Sequence, residues 1–91
     1  MVLVSYDISN DKKRTRFNKY IRKFGKRLQL SVYEIENSER ILSNIIADIN
    51  STFLKTFDES DSVIIFKLSN SCEVLKYGYA IHEDEELLIV K

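Results

Sequence analysis

RLQLSVYEIE, residues 27–36, alternates apolar and polar residues through Leu28, Leu30 and Val32, then changes phase to Tyr33 and Ile35. A strand with one buried face cannot change phase without carrying its apolar side chains to the other face, so a bulge, a bend or a tight turn is required near Ser31. Whether the stretch counts as one strand or two decides the topology of the chain.

On its N-terminal side, residues 2–8 read as a strand rich in Val, Leu and Tyr, and the turn Ser9-Asn10-Asp11 caps a helix expected over about residues 10–25, with Gly25 as its stop. Phe17, Tyr20, Ile21 and Phe24 follow the spacing of one buried helical face. On the C-terminal side, Asn37 or Ser38 caps a second helix whose core stripe is Ile41, Leu42, Ile45, Ile46, Ile49, Phe53, Leu54 and Phe57. After an acidic loop, DESD, three segments look like strands: VIIFKL at 63–68, EVLKY at 73–77 and ELLIV at 86–90. A sheet with helices on one face needs only alternation, but VLV, VIIF and LLIV are apolar on both sides. Nothing else in the chain is left to cover the second face. We therefore expect an α+β domain with two helices on one face of the sheet and a second copy on the other.

Ninety-one residues make one domain that buries only about 60–65% of the surface its unfolded chain exposes, so help from a partner chain fits its size. Leu, Ile, Val and Phe supply 31 of the 91 residues, which excludes a disordered chain. Cys72 is the single cysteine, so neither a disulfide framework nor a thiolate zinc site is available. There is no charged leader followed by an apolar run, and no apolar stretch approaches bilayer length; the expectation is a cytoplasmic protein without a membrane partner. Asn50-Ser51-Thr52 fits the glycosylation pattern but lies in an expected helix.

Net charge is zero, yet it sums two opposed parts. Residues 1–30 hold nine Lys or Arg against Asp7 and Asp11, a net +7, and the remainder holds five against twelve, a net −7. Lys12, Lys13 and Arg14 crowd a helix start that already carries partial positive charge, where each cation costs about 0.3–1 kcal/mol. An anionic partner offsets that cost. At 100° per residue Lys12, Arg16, Lys19, Lys23 and Lys26 share an arc of roughly 80° opposite the apolar face, while Arg14 lies near that face's edge. A solvated helix face usually mixes signs; this one points to phosphate, onto which Arg14 and Arg16 can fork.

Asp7, at the end of the first strand, has two readings at this point: a ligand-facing acid, or a turn residue that helps cap the helix. DISND opens like a calcium loop, but Lys12 stands at the glycine position and Asn18 at that of the bidentate Glu. Ser9 likewise excludes a phosphotransfer pair of acids two residues apart. His82 is the only histidine and cannot supply both base and acid for ribonuclease chemistry; its acidic neighbours 83–86 read as a solvated loop that guards the LLIV strand. Cys72 reads as a small buried residue, and Tyr77 and Tyr79 as interface packing rather than base stacking.

The run YDIS at 6–9, RTRF at 14–17 and FGKRLQLSVYEIE at 24–36 resembles the signature of the CRISPR-associated protein two family, the small partner of the CRISPR integrase in spacer acquisition. Later segments match in pattern only. The resemblance implies a ferredoxin-like fold, βαββαβ with an extra C-terminal strand, which counts residues 27–36 as two strands. It implies a homodimer with facing sheets and residues 86–90 exchanged between chains, an integrase subunit as partner and a role bridging double-stranded DNA, with RNA as an alternative ligand. In many members the aspartate matching Asp7 is assigned to metal-dependent nuclease activity, with Mg²⁺ the expected ion. Residues matching Tyr6, Arg14, Arg16, Arg27 and Tyr33 lie nearby, the family's usual Phe being Tyr33 here. Other members act only as scaffolds, and a stand-alone endoribonuclease or a toxin-like ribonuclease of the same fold are the alternatives. Arg14, Arg16, Lys19, Lys23 and Arg27 are the expected nucleic-acid contacts.

Overall fold

The computed structural model describes residues 1–80 and 88–90, with side chains through Gly78. The chain runs β1 (Val2–Asp7), α1 (Asp11–Ile21), a 3₁₀ turn (Arg22–Phe24), β2 (Gly25–Gln29), β3 (Val32–Ile35), α2 (Glu39–Asp48), a π-helical turn (Ile49–Phe53), a second 3₁₀ turn (Leu54–Thr56) and β4 (Ser62–Lys67), then β5 (Gly78–Ala80) and β6 (Leu88–Val90). The first four strands form an antiparallel sheet in the order β2-β3-β1-β4, the ferredoxin-like arrangement. Among the described residues β5 and β6 pair only with each other. Residues 81–87, and with them His82 and its acidic neighbours, lie outside the described residues.

Residues 27–36 are two strands. Gln29 pairs with Val32 across a two-residue turn, and a register irregularity between Arg27 and Gln29 absorbs the phase change. Leu30, expected on the inward phase, instead sits at the turn and is 83% exposed. Gly25 does not simply stop the first helix: it opens β2, where a Cβ would lie 1.9 Å from the Glu34 carbonyl oxygen, so only glycine lets the strands approach this closely. The helix itself ends at Ile21, and Lys26, expected on its cationic arc, belongs to β2.

Asn10 caps α1 by accepting a bond from the Lys13 amide, and Ser38 caps α2 through the Ile41 amide. Both helices pack on one sheet face, where Val2, Val4, Tyr6, Tyr33 and Ile35 meet Phe17 and Ile21 of α1 and Leu42 and Ile45 of α2. The second apolar stripe outlasts its α-helix through the π turn, whose Leu54 N–H reaches back to the Ile49 carbonyl. That wider turn keeps Ile49 and Phe53 buried, while Ile46 and Leu54, expected in the core, stand exposed at the stripe's margins. Phe53 meets the rings of Phe17 and Tyr20 at 5.0 Å.

Among the described residues the other face of the sheet is left largely uncovered along β4. Leu3 lies between Glu34 of β3 and Phe66 of β4, and Ser5 between Val32 and Ile64; Ile64 is 52% exposed and Phe66 44%. The expected strand at 73–77 is absent: residues 72–77 form no ladder, and Leu75 and Tyr77 project into solvent. Cys72 is likewise exposed rather than buried, in a turn closed by its own N–H onto the Ser69 carbonyl.

Candidate functional site

Alternation along β1 separates two residues adjacent in sequence. Tyr6 points toward the helices and is buried, whereas Asp7, paired in register with Ser62 of β4, is exposed on the open sheet face. Tyr6 and Tyr33, expected to support Asp7, are buried on the helix-facing side of the sheet.

Tyr6, Tyr33 and Arg27 instead converge on Asn18 of α1, a residue that the sequence reading did not single out as functional. The Asn18 amide nitrogen donates to the Tyr6 hydroxyl at 3.0 Å and to the Tyr33 hydroxyl at 2.8 Å, using both of its hydrogens. Tyr33 also accepts from Arg27 Nε at 3.1 Å, and Tyr6 donates to the Leu30 carbonyl at 3.3 Å. The cluster thus ties the β2–β3 hairpin to β1 and α1. Burial pushes the Tyr6 phenol up from its ordinary value, against the opposing hydrogen bond from Asn18. Tyr20 is raised further, by burial and by its hydrogen bond to the Asp48 carboxylate, which links the two helices. The only sequence signal for Asn18 is an uncharged amide beside the apolar face of a strongly basic helix.

The cations divide into two groups. Arg14 folds back over the loop after Asp7, donating to the carbonyls of Ile8 at 3.0 Å and Ser9 at 3.3 Å and pairing with Asp11. Lys13 pairs with Asp58 at 3.4 Å. By contrast Lys12, Arg16, Lys19 and Lys23 are exposed and make no ion pair among the described residues. They form a row about 17 Å long on the solvent side of α1 and its 3₁₀ extension.

The loop after Asp7 is held from a second side. Asp61, the residue before Ser62, accepts from the Ser9 amide at 3.1 Å, the Ser9 hydroxyl at 3.3 Å and the Asp58 amide at 2.8 Å. The Asp58 and Ser9 amides hold its carboxyl below the usual carboxylate range. Asp61 is therefore committed, and among the described residues no three acidic, His or Cys side chains gather into a metal-binding group. One chain does not by itself fit Mg²⁺, which wants near-octahedral oxygens and one or two carboxylates; among the residues expected at the site, Asp7 alone supplies a carboxylate.

Residues 1–74, which include β1, the basic helix, the hairpin and β4, match the family model described as CRISPR associated protein Cas2. The chain belongs to the Cas2 family. It is 32% identical over 76 residues to the CRISPR-associated endonuclease Cas2 2 of Thermus thermophilus, covering 82% of this chain and 80% of that protein. Among solved structures it is similar to hypothetical protein TT1823 of Thermus thermophilus, with a TM-score of 0.67, 29% identity, and coverage of 90% of this chain and 95% of that one. It is also similar to Streptococcus pyogenes Cas2 at pH 6.5, with a TM-score of 0.59, 26% identity, and coverage of 82% and 98%. Membership in Cas2 gives the chain a CRISPR-associated function. No helix among the described residues is long and apolar enough to cross a membrane.

Proposed function

We propose that the protein is a dimeric, DNA-bridging subunit of the CRISPR integrase complex in spacer acquisition, acting in the cytoplasm. The observation that carries this reading is the row Lys12, Arg16, Lys19 and Lys23, which has no acidic partner among the described residues and has the spacing to follow a phosphate backbone. The homodimer forms through the open sheet face, since Ile64 and Phe66 remain uncovered in one chain. Residues 86–90 cross to the partner and cover an exposed sheet edge. Arg14 and Arg27, expected as phosphate contacts, act mainly by holding the loop after Asp7 and the β2–β3 hairpin.

A second reading, metal-dependent endonuclease activity, is favoured by the placement of Asp7 on that same open face. A twofold axis near the ends of the β1 strands would bring two Asp7 carboxylates together, and two adjacent negative charges would favour binding of a divalent cation. Two Asp7 side chains would be the residues to hold Mg²⁺, which would supply water activation and neutralise phosphate charge. The chain's own part is to present the two carboxylates on facing sheets. We propose that this activity is weak and dispensable for integration. The test is Asp7→Asn, which keeps size and removes charge, assayed for Mg²⁺-dependent cleavage of DNA and RNA and for integration with the integrase partner. Cleavage should vanish and integration persist. Cleavage that survives refutes the role of Asp7; integration lost from an intact, DNA-bound complex refutes its dispensability.

A further inference from the structure

The start of α1 carries three adjacent cations, Lys12, Lys13 and Arg14, and the fold treats each differently. Arg14 is taken up by Asp11 and by the Ile8 and Ser9 carbonyls, whereas Lys12 stands exposed without an ion pair among the described residues. Lys13 belongs by spacing beside the row of free cations: it precedes Arg16 by three residues, so the two side chains are neighbours about 60° apart around the helix. Yet its ammonium lies 3.4 Å from the Asp58 carboxylate, and its side chain is only 26% exposed where that of Asp58 is 65% exposed.

The position of Asp58 is built by its neighbours. Its amide donates to Asp61 Oδ2 at 2.8 Å and its carbonyl accepts from the Asp61 amide at 3.0 Å, closing a turn, while Asp61 Oδ1 accepts the Ser9 amide at 3.1 Å. Ser60 Oγ adds a contact to Ser9 Oγ at 3.4 Å. The turn is thus fastened to the residue just before the Asn10 cap, and from there it delivers a carboxylate to Lys13. A phosphate reaching for Lys13 has to stand beside Asp58, and like charges that close repel. An exposed ion pair of this kind adds little to stability. Its larger effect is to take one cation out of the row.

We infer that Asp58 withholds Lys13 from nucleic-acid phosphate: the turn of residues 58–61, clasped to the start of α1, closes the phosphate-binding row on that side and keeps the affinity of the chain below what its cations would otherwise give. The inference rests on the reading of Lys12, Arg16, Lys19 and Lys23 as a phosphate-binding row. It also accounts for the cation beside that row which the helix start carries without offering it to solvent.

The experiment measures binding of a short DNA duplex by fluorescence anisotropy over a salt series, for the full-length chain and for Asp58→Ala, Lys13→Ala, the double variant, Glu59→Gln and Arg16→Ala. Asp58→Ala should steepen the slope of log affinity against log salt by about 0.9 per engaged chain, so that its advantage over the parent is about 3.5-fold larger at 50 mM than at 200 mM. The urea midpoint should stay nearly unchanged. Lys13→Ala alone should alter the slope by less than half that amount, and the double variant should return to the slope of Lys13→Ala. Glu59→Gln removes the same charge from the same turn without freeing Lys13, and should steepen the slope by less than half as much as Asp58→Ala. An unchanged slope in Asp58→Ala overturns the inference, as does a flattening of about 0.9 in Lys13→Ala, which would mean that Lys13 already contacts phosphate. Steepening that persists in the double variant, or that Glu59→Gln matches, assigns the effect to general charge and overturns it as well. If Arg16→Ala leaves the slope unchanged, the reading of the row fails first and this inference with it; if Arg16→Ala flattens the slope while Asp58→Ala does not steepen it, this inference alone fails. Should Asp58→Ala fail to fold, Asp58→Asn carries the same comparison under the same outcomes.

Discussion

Replacing Arg16 with alanine removes one cation from the middle of a row without ion pairs among the described residues and touches nothing in the core, so its effect on DNA binding can be worked out before measurement. If Lys12, Arg16, Lys19 and Lys23 each contact a phosphate, one chain contributes a slope of about −3.6 in log affinity against log salt, and affinity falls about 150-fold between 50 and 200 mM. Arg16→Ala leaves a slope of about −2.7 and a fall of about 40-fold over the same range. Arg14 is the internal control, because its guanidinium is engaged with the Ile8 and Ser9 carbonyls and with Asp11. Arg14→Ala should change the slope by less than half as much as Arg16→Ala, and should instead loosen the loop after Asp7. Fluorescence anisotropy on a short duplex over a salt series reads these slopes directly. An unchanged slope for Arg16→Ala, or equal flattening by both variants, would place the duplex on another surface.

Three further outcomes follow from the packing. Gly25→Ala should cost at least about 2 kcal/mol in urea unfolding, because its Cβ meets backbone rather than a side chain that can move aside, and a wild-type midpoint would refute the close approach. Phe66→Glu should raise the dimer dissociation constant at least about a hundredfold, since each copy loses the burial of a large apolar side chain; sedimentation of an intact dimer at micromolar concentration would exclude this face as the interface. In an alkaline titration followed by phenolate absorbance, Tyr6 and Tyr20 should ionise late, because both are held neutral in the folded chain. Their stabilising contribution is full below the ordinary tyrosine value near about 10 and is lost as pH rises through the folded values, so alkaline unfolding and late ionisation should coincide.

Local periodicity and capping made much of this protein legible in its sequence. The buried face of α1, the caps at Asn10 and Ser38, β1, β4, the break within residues 27–36 and the basic character of α1 are encoded within windows of a few residues. The open apolar sheet face was legible for the same reason, as alternation fixes which side chains share a side once a strand is identified. Other features depend on partners that no local window contains. Arg14 looked like Arg16 in sequence; only the fold brings the Ile8 and Ser9 carbonyls under its guanidinium. Leu30 kept the inward phase on paper and lost it because the chain turns there, and Ile46 and Leu54 left the core at the margins of a stripe prolonged by the π turn. Tyr6, Tyr33 and Arg27 meet through Asn18, and Asp61 meets Ser9 across 52 residues. A hydrogen bond between polar side chains leaves no periodic trace, so the sequence by itself determined the elements and their faces, and the tertiary structure alone decided which polar groups meet.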